Sequence, residues 1–433
     1  MLLLCFTTLL DFFCGLRIHR SDNLRSKRLF LLISVVGNLI VLGFFKYHNF
    51  FIETFQGLLV PLGIKFSSLE LQWVLPLGIS FYTFKSLSYT IDIYRGQLSP
   101  TQSFLDYGIF VAFFPQLTAG PIERAAHFLP QLSRPRVINR EKIVQGAYLI
   151  LWGLFLKIFV ADSLTKIVDP VFISPGPYHG IIVLLASYAF TFQIFCDFAG
   201  YSQIAAGIGN LMGFEMVWNF TTPFFVTNVQ EFWNKWHMSL SSWVKDYIFI
   251  PVFFCLRGMG TRWRLYLSSI LTMVLLGAWH GAKWTFVAFG FYYGMLLVIL
   301  ALIKEASGGK FSSANSVNGL LWRAIKMLFV FHLAVFGMLL FRASSLTQAI
   351  RMGSSLLSIF SINPGSDWIY LSSKILFYII PVLIVQYAQH RTGDMFVVLR
   401  AHWIIQALFY YFCFYLLIIY GEMGGQEFIY AQF

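Results

Sequence analysis

Ten long apolar runs decide what this chain can fold into. They lie near residues 2–16, 29–45, 71–91, 144–160, 181–203, 265–280, 286–303, 327–341, 375–388 and 403–420. Each is close to the roughly 20 residues that a helix needs to cross about 30 Å of hydrocarbon. In that medium every backbone N–H and C=O must be satisfied within the protein, which leaves helices and closed barrels. Transmembrane barrel strands are short and alternate apolar with polar residues, whereas these runs are continuous. The expected fold is therefore all-α: a polytopic integral membrane protein with about 10 transmembrane helices. Re-entrant segments are expected around a central channel, all within one membrane domain spanning residues 1–433. Hydrophobic residues make up 58% of the sequence and charged ones only 12%, outside the soluble globular range.

The formal net charge of +12 would suit a polyanion partner if it formed one basic surface. It does not. Segments 17–28, 123–142, 205–264, 304–326 and 389–402 carry +4, +3, +2, +3 and +1. The alternating segments 46–70, 161–180, 281–285, 342–372 and 421–433 carry 0, −1, +1, +1 and −2. An excess of Lys and Arg on every second loop is the positive-inside pattern. It puts both termini on the extracytoplasmic side of a membrane, expected to be a bacterial cytoplasmic (inner) membrane from the family resemblance given below, and gives no reason to expect nucleic acid. The first apolar run lacks a basic segment ahead of it and a small-residue cleavage signal, so it reads as a retained helix. Cys5, Cys14, Cys196, Cys255 and Cys413 are scattered singly and read as buried free thiols, not as disulfides or metal ligands.

Three stretches do not read as clean spans. Segment 46–70 is aromatic and broken by Gly57, Pro61 and Gly63, and the sequence leaves open whether it dips into the bilayer. Segment 104–122 is apolar but interrupted by Pro115, Gly120 and Pro121, with both flanks on the basic side, which makes it a re-entrant candidate. Irregular backbone at membrane depth persists only where protein or a wet cavity satisfies it. Segment 218–255 mixes Trp218, Trp233, Trp236 and Trp243 with Lys235, Lys245 and Asp246, and suits a pair of re-entrant or interfacial helices. Residues 304–318, rich in Ser, Gly and Asn, read as a flexible cytoplasmic loop.

Two histidines lie in this apolar sequence, and histidine is the side chain best suited to moving a proton near neutral pH. His280 ends one long run, in Gly277-Ala-Trp-His-Gly-Ala-Lys-Trp284, where Gly277, Ala278, Gly281 and Ala282 leave room for a substrate chain to approach. The plainer reading is a structural histidine bonded to a carbonyl at a helix end. His237 lies in Glu231-Phe-Trp-Asn-Lys-Trp-His-Met-Ser-Leu-Ser-Ser-Trp-Val-Lys-Asp246. If residues 230–246 are helical, Trp233, His237 and Ser241 share one face; an interfacial helix with tryptophans at headgroup level is the plainer reading. Asp197 falls inside a span, with Lys157 of a neighbouring span as its expected partner. The glycines of 199–213 have the wrong spacing for a nucleotide loop and read as small residues for close helix packing. No HExxH, Walker A or GxSxG motif is present, and no local zinc signature.

Six stretches in order resemble the membrane-bound O-acyltransferase family. They are 75–95 (LPLGISFYTFKSLSYTIDIYR), 113–124 (FFPQLTAGPIER), 230–251 (QEFWNKWHMSLSSWVKDYIFIP), 276–284 (LGAWHGAKW), 341–343 (FRA) and 427–433 (EFIYAQF). The likeness covers about 75–433. It is strongest to the branch that O-acetylates alginate, and more distant to the proteins of teichoic acid D-alanylation. Family members often open with further apolar sequence ahead of the point matching residue 1. That branch also often carries Gly-Gly-Asn-Arg after Pro251, where this chain reads Val252-Phe-Phe-Cys-Leu-Arg-Gly-Met-Gly260.

The resemblance implies that His280 is catalytic and that His237 is the second histidine of the site. It further implies transfer of a short acyl group, expected to be acetyl, from a cytoplasmic thioester donor to a hydroxyl of an extracytoplasmic polysaccharide. Transfer would be direct or through a separate extracytoplasmic acyltransferase protein. Acetyl-coenzyme A or an acyl carrier thioester is the expected donor, drawn to Arg257, Arg262 and Arg264, with no tightly bound cofactor and no metal. Trp233, Asn234, Trp236, Ser241, Lys245, Asp246, Trp279 and Trp284 are expected along the donor and substrate channel. Asp197 and Arg124 are expected as structural or relay groups. Two alternatives stand beside this reading: a transporter or flippase whose histidines relay protons, and D-alanyl transfer from a carrier protein.

Overall fold

The computed structural model describes residues 2–63, 76–308, 317–358, 367–424 and 427–429, and all regular structure among them is helical. Eight helical stretches are long and apolar enough to cross a membrane, judged by length and composition. Two more of the expected spans are helices that fall short of that standard. Ile79–Tyr94 has 16 residues, about 24 Å at 1.5 Å each, and residues 71–75 lie outside the described set. Thr261–His280 carries Arg262 and Arg264 in its first turn. The loop expected at 304–318 lies partly outside the described residues, since 309–316 are not among them.

The chain divides into two compact units. The first comprises residues 1–139 and 209–217. Its helix Leu2–Arg20 is followed by one continuous helical run, Leu24–Leu62, which passes through a π-helical turn at Gly43–Tyr47. The segment left open at 46–70 is therefore, as far as Leu62, an extension of the second span. Lys46 lies in the π turn, and its ammonium donates to Ser80 Oγ at 3.2 Å. A polar cluster ties the unit together: Asp11 accepts from Ser34 Oγ (2.6 Å) and Asn38 Nδ2 (2.8 Å), and Ser34 reaches Thr90 Oγ1 (2.9 Å). Ile79–Tyr94 is buried on nearly every side. It starts at Gly78, whose φ of 74° is left-handed and where a Cβ would collide with the Leu117 carbonyl, so glycine is required. Segment 104–122 forms the nine-residue helix Phe104–Ala112, capped by Ser103, and a 3-10 turn at Phe114–Gln116. At about 14 Å that helix is too short to cross. Phe113, Phe128 and Phe214 pack together at 4.8–5.1 Å between ring centres and bring residues 209–217 into this unit.

The second unit comprises residues 140–208 and 218–433. Arg140–Ile173 is one helical run through a π turn at Phe155–Ala161, and it packs on Gly180–Leu211 at two glycine pairs. A Cβ on Gly153 or Gly200 would lie 2.6–2.7 Å from the other's carbonyl oxygen, and one on Gly207 would lie 2.7 Å from that of Gly146. The glycines at 200 and 207 thus serve helix packing. Thr261–His280 and Trp284–Ala306 form a tight hairpin on the same principle, with Gly277 against Gly290. Val317–Arg342, Asp367–Thr392 and Trp403–Tyr420 complete the long helices. Of the cysteines, Cys14, Cys196 and Cys413 are buried as expected, but Cys5 and Cys255 are exposed.

Candidate functional site

Residues 230–246 do not form the single helix that would put Trp233, His237 and Ser241 on one face. Val229–Trp233 and Met238–Val244 are separate short helices, followed by a π turn at Lys245–Phe249 and the helix Ile250–Cys255. His237 lies at the break with φ 43° and ψ 53°, the one non-glycine residue in left-handed backbone among the described residues. Such a conformation costs a non-glycine residue of order 1–3 kcal/mol and persists where its surroundings over-determine it. Here they do. Met238 N donates to Asn219 O (2.8 Å), Thr221 N to Lys235 O (3.2 Å) and Ser241 N to His237 O (2.9 Å). These bonds clamp 219–221 against 235–238, and the helix restarts immediately afterwards.

The break turns the His237 ring inward, where it is 1% exposed. Phe198 meets it edge-on at 4.6 Å, Phe220 stacks at 6.3 Å and Trp279 lies at 6.4 Å. Its Nδ1 is 3.1 Å from Asn219 Oδ1, which also accepts from Ser239 Oγ at 2.6 Å. His237 lies outside the membrane-spanning helices. Burial, reinforced by the nearby positive form of His280, holds it well below the ordinary imidazole value, so the ring is neutral.

His280 is the last residue of Thr261–His280 and is 4% exposed. Trp279 touches it at 5.0 Å, Phe341 at 5.2 Å and Phe289 at 5.9 Å. Trp279 therefore has a ring contact to each histidine. The glycines beside His280 do not open space for a substrate. A Cβ at Gly277 would strike the carbonyl of Phe286 and the backbone of Gly290, and one at Gly281 would strike the Phe286 ring. Both glycines serve the hairpin with Trp284–Ala306 and so fix the height at which the His280 ring sits.

The remaining residues divide by burial. Trp233 is buried against Phe289 (6.4 Å) and Tyr293 (5.0 Å), one ring away from His280. Trp236 is buried among Phe195, Phe220 and Phe232. Ser241 donates to Trp236 O, and Asp246 is half-buried. Asn234, Lys245 and Trp284 are exposed. Arg124 precedes the helix Ala125–Ser133 in the first unit. Of the basic cluster, Arg262 pairs with Glu305 at 3.3 Å, Arg264 donates to Phe253 O, and Arg257 covers the Phe254 ring.

Asp197 does meet Lys157, at 2.8 Å. The π turn at Phe155–Ala161 also brings the Lys157 ammonium within 2.8 Å of Asp162. The sequence pattern pointed neither to Asp162 nor to what the cluster holds. Asp197 Oδ2 accepts from Ile429 N (2.8 Å), Lys157 lies over the Phe428 ring (4.5 Å), and Phe428 meets Tyr201 edge-on (4.9 Å). Asn219, Phe289 and Phe341 were also missed. Phe341 lies in one of the six resembling motifs, but nothing local marked Asn219.

Residues 95–342, which include both histidines, match the sequence profile of MBOAT, the membrane-bound O-acyltransferase family. The chain belongs to that family. Among curated proteins it is 36% identical to "Probable alginate O-acetylase AlgI" of Azotobacter vinelandii, over 81% of this chain and 67% of the relative. It is 30% identical to "Peptidoglycan O-acetyltransferase" of Helicobacter pylori, over 79% and 67%. It is 29% identical to "Teichoic acid D-alanyltransferase" of Bacillus subtilis, over 61% and 68%. The chain spans about two thirds of the length of these relatives. As a family member with eight apolar helices of spanning length, it is a multi-pass membrane protein.

Proposed function

We propose that this protein is a membrane-bound O-acyltransferase that moves acetyl from a cytoplasmic thioester to a hydroxyl of an extracytoplasmic polysaccharide. The observation that carries this reading is the pair of buried histidines that share contacts with the Trp279 ring, inside the region that matches the family. His280 takes the proton of the acceptor hydroxyl as its oxygen attacks the thioester carbonyl. Collapse of the tetrahedral adduct breaks the C–S bond, the thiolate recovers a proton from the histidine, and an ester and a free thiol leave. Such a general base is worth roughly 10²–10⁴-fold. His237 orients the reacting groups beside it. Coenzyme A or an acyl carrier supplies the thioester, and an extracytoplasmic acyltransferase protein either completes the transfer or is bypassed.

The alternation of loop charge supports a cytoplasmic-membrane location with both termini extracytoplasmic. The greater identity and coverage of the alginate O-acetylase relatives favour acetyl over D-alanyl. The test is thiol release from acetyl-coenzyme A by the purified protein in nanodiscs, wild type beside His280→Ala. Release that depends on His280 is expected. Full release by a correctly inserted His280→Ala protein would refute the assignment, and solute movement without thiol release would favour a transporter.

A further inference from the structure

Asn219 does more than hold a loop. Its side chain faces three groups: His237 Nδ1 at 3.1 Å, Ser239 Oγ at 2.6 Å and Ser202 Oγ at 3.0 Å. All four residues are buried. The two hydroxyls can donate or accept, so their distances decide which way the amide points. A 2.6 Å contact suits O–H···O, while 3.0 Å suits N–H···O. The oxygen therefore faces Ser239 and His237, and the NH₂ faces Ser202. An amide oxygen only accepts, so a neutral His237 ring must carry its proton on Nδ1. That leaves Nε2 as the basic nitrogen. The backbone carbonyl of the same asparagine accepts from Met238 N at 2.8 Å and pins the left-handed turn that aims the ring.

We propose that Asn219 is a positioning residue that fixes His237 as the Nδ1–H tautomer, making Nε2 a hydrogen-bond acceptor in the acyl-transfer site. The inference rests on the acyl-transfer reading and sharpens it. In this state His237 cannot donate a hydrogen bond from Nε2 to the oxygen of a tetrahedral adduct. It accepts one instead, from an N–H of the donor's carrier arm, while the proton of the incoming hydroxyl goes to His280. The titratable group acting on it is His280; the other neighbours described, Phe198, Phe220, Trp279, Ser202 and Ser239, carry no charge.

Two measurements test this. The first is nitrogen NMR of ¹⁵N-histidine protein in lipid, with the His237 signal identified by subtraction of a His237→Gln sample. An unprotonated Nε2 with a protonated Nδ1 is expected, and the opposite tautomer overturns the proposal. The second is the pH profile of thiol release. Asn219→Ala should lower kcat by 10- to 100-fold and leave the donor KM within about twofold. Asn219→Asp keeps the accepting oxygen but adds a charge that favours imidazolium. It should restore turnover at high pH and move the acid limb upward by about one pH unit or more. Asn219→Ala at wild-type turnover, or an Asn219→Asp profile superposable on wild type, overturns the proposal. Wild-type protein silent with both acetyl-coenzyme A and an acyl carrier thioester, with the partner acyltransferase present, would instead sink the acyl-transfer reading, and the tautomer measurement would then judge this inference alone.

Discussion

Gly277→Ala should disable the protein by moving His280. The added methyl would fall 2.8 Å from Gly290 N and 2.9 Å from its Cα, and closer still to the Phe286 carbonyl oxygen. Ordinary contacts begin near 3.4 Å. All three obstacles are backbone atoms, so no rotamer change relieves them and the two helices of the hairpin must separate by about 1 Å. Overpacking of this kind costs about 1–3 kcal/mol. Gly277 lies one turn before His280, so the displacement passes directly to the ring. A misplacement of about 1 Å in a positioned group can cost ~10²-fold in rate. The assay pairs thermal unfolding in nanodiscs with thiol release, using Gly108→Ala as the control. Gly108 is also helical, but an added methyl there would meet nothing within 4 Å, so alanine should gain up to about 1 kcal/mol of helix propensity. If Gly277→Ala melts and turns over like wild type, the claim that this glycine sets the height of His280 is wrong.

Three further outcomes are expected. Lys157→Met leaves Asp162 and Asp197 buried without their cation, which should cost about 3–5 kcal/mol. A cysteine placed at Phe428 should then label faster; unchanged labelling would show that the tail does not depend on the cluster. His127, outside the spanning helices and partly exposed, bonds Glu123 Oε2 at 2.8 Å, which raises its pKa above the ordinary value of 6.5. Because the folded value is the higher one, the stabilisation is complete below the unfolded pKa and is lost as pH rises through the folded pKa. A melting-temperature difference between wild type and His127→Gln that shrinks with rising pH is expected, and a constant difference refutes it. His237→Gly relieves the left-handed strain but removes a buried ring, so thiol release should fall at least tenfold; retained activity would remove His237 from the site.

Much of the fold was legible because hydrocarbon forces long apolar runs on any chain that crosses it. The expected breaks were less so. The second apolar run ends near residue 45, and Gly57, Pro61 and Gly63 break the aromatic stretch after it, yet a π turn carries the helix through to Leu62. Pairing was legible where single residues write it: Asp197 meets Lys157 as the sequence expects, and the two histidines that it singles out are both buried. The site was illegible wherever geometry depends on a distant segment. Nothing local announces that residues 234–237 break the helix, because the left-handed position is a histidine instead of a glycine and is held by Asn219. Gly277 and Gly281 looked like room for a substrate, since a sequence does not say which neighbour fills the space a small residue leaves.

The paired glycines of Arg140–Ile173 and Gly180–Leu211 bear on how the protein is made. The two stretches are consecutive, so they emerge one after the other during synthesis. Backbone contact at Gly146–Gly207 and Gly153–Gly200 needs no later part of the chain. The pair can close into a hairpin as soon as its second member is inserted, while the helices that carry His280 and Phe341 are still unmade. Those helices would then assemble on an existing wall that already carries Phe198 and Ser202. A bulky residue at 200 or 207 would thus be felt first as a defect of biogenesis, lowering the amount of protein inserted before it altered the turnover of any molecule that had formed.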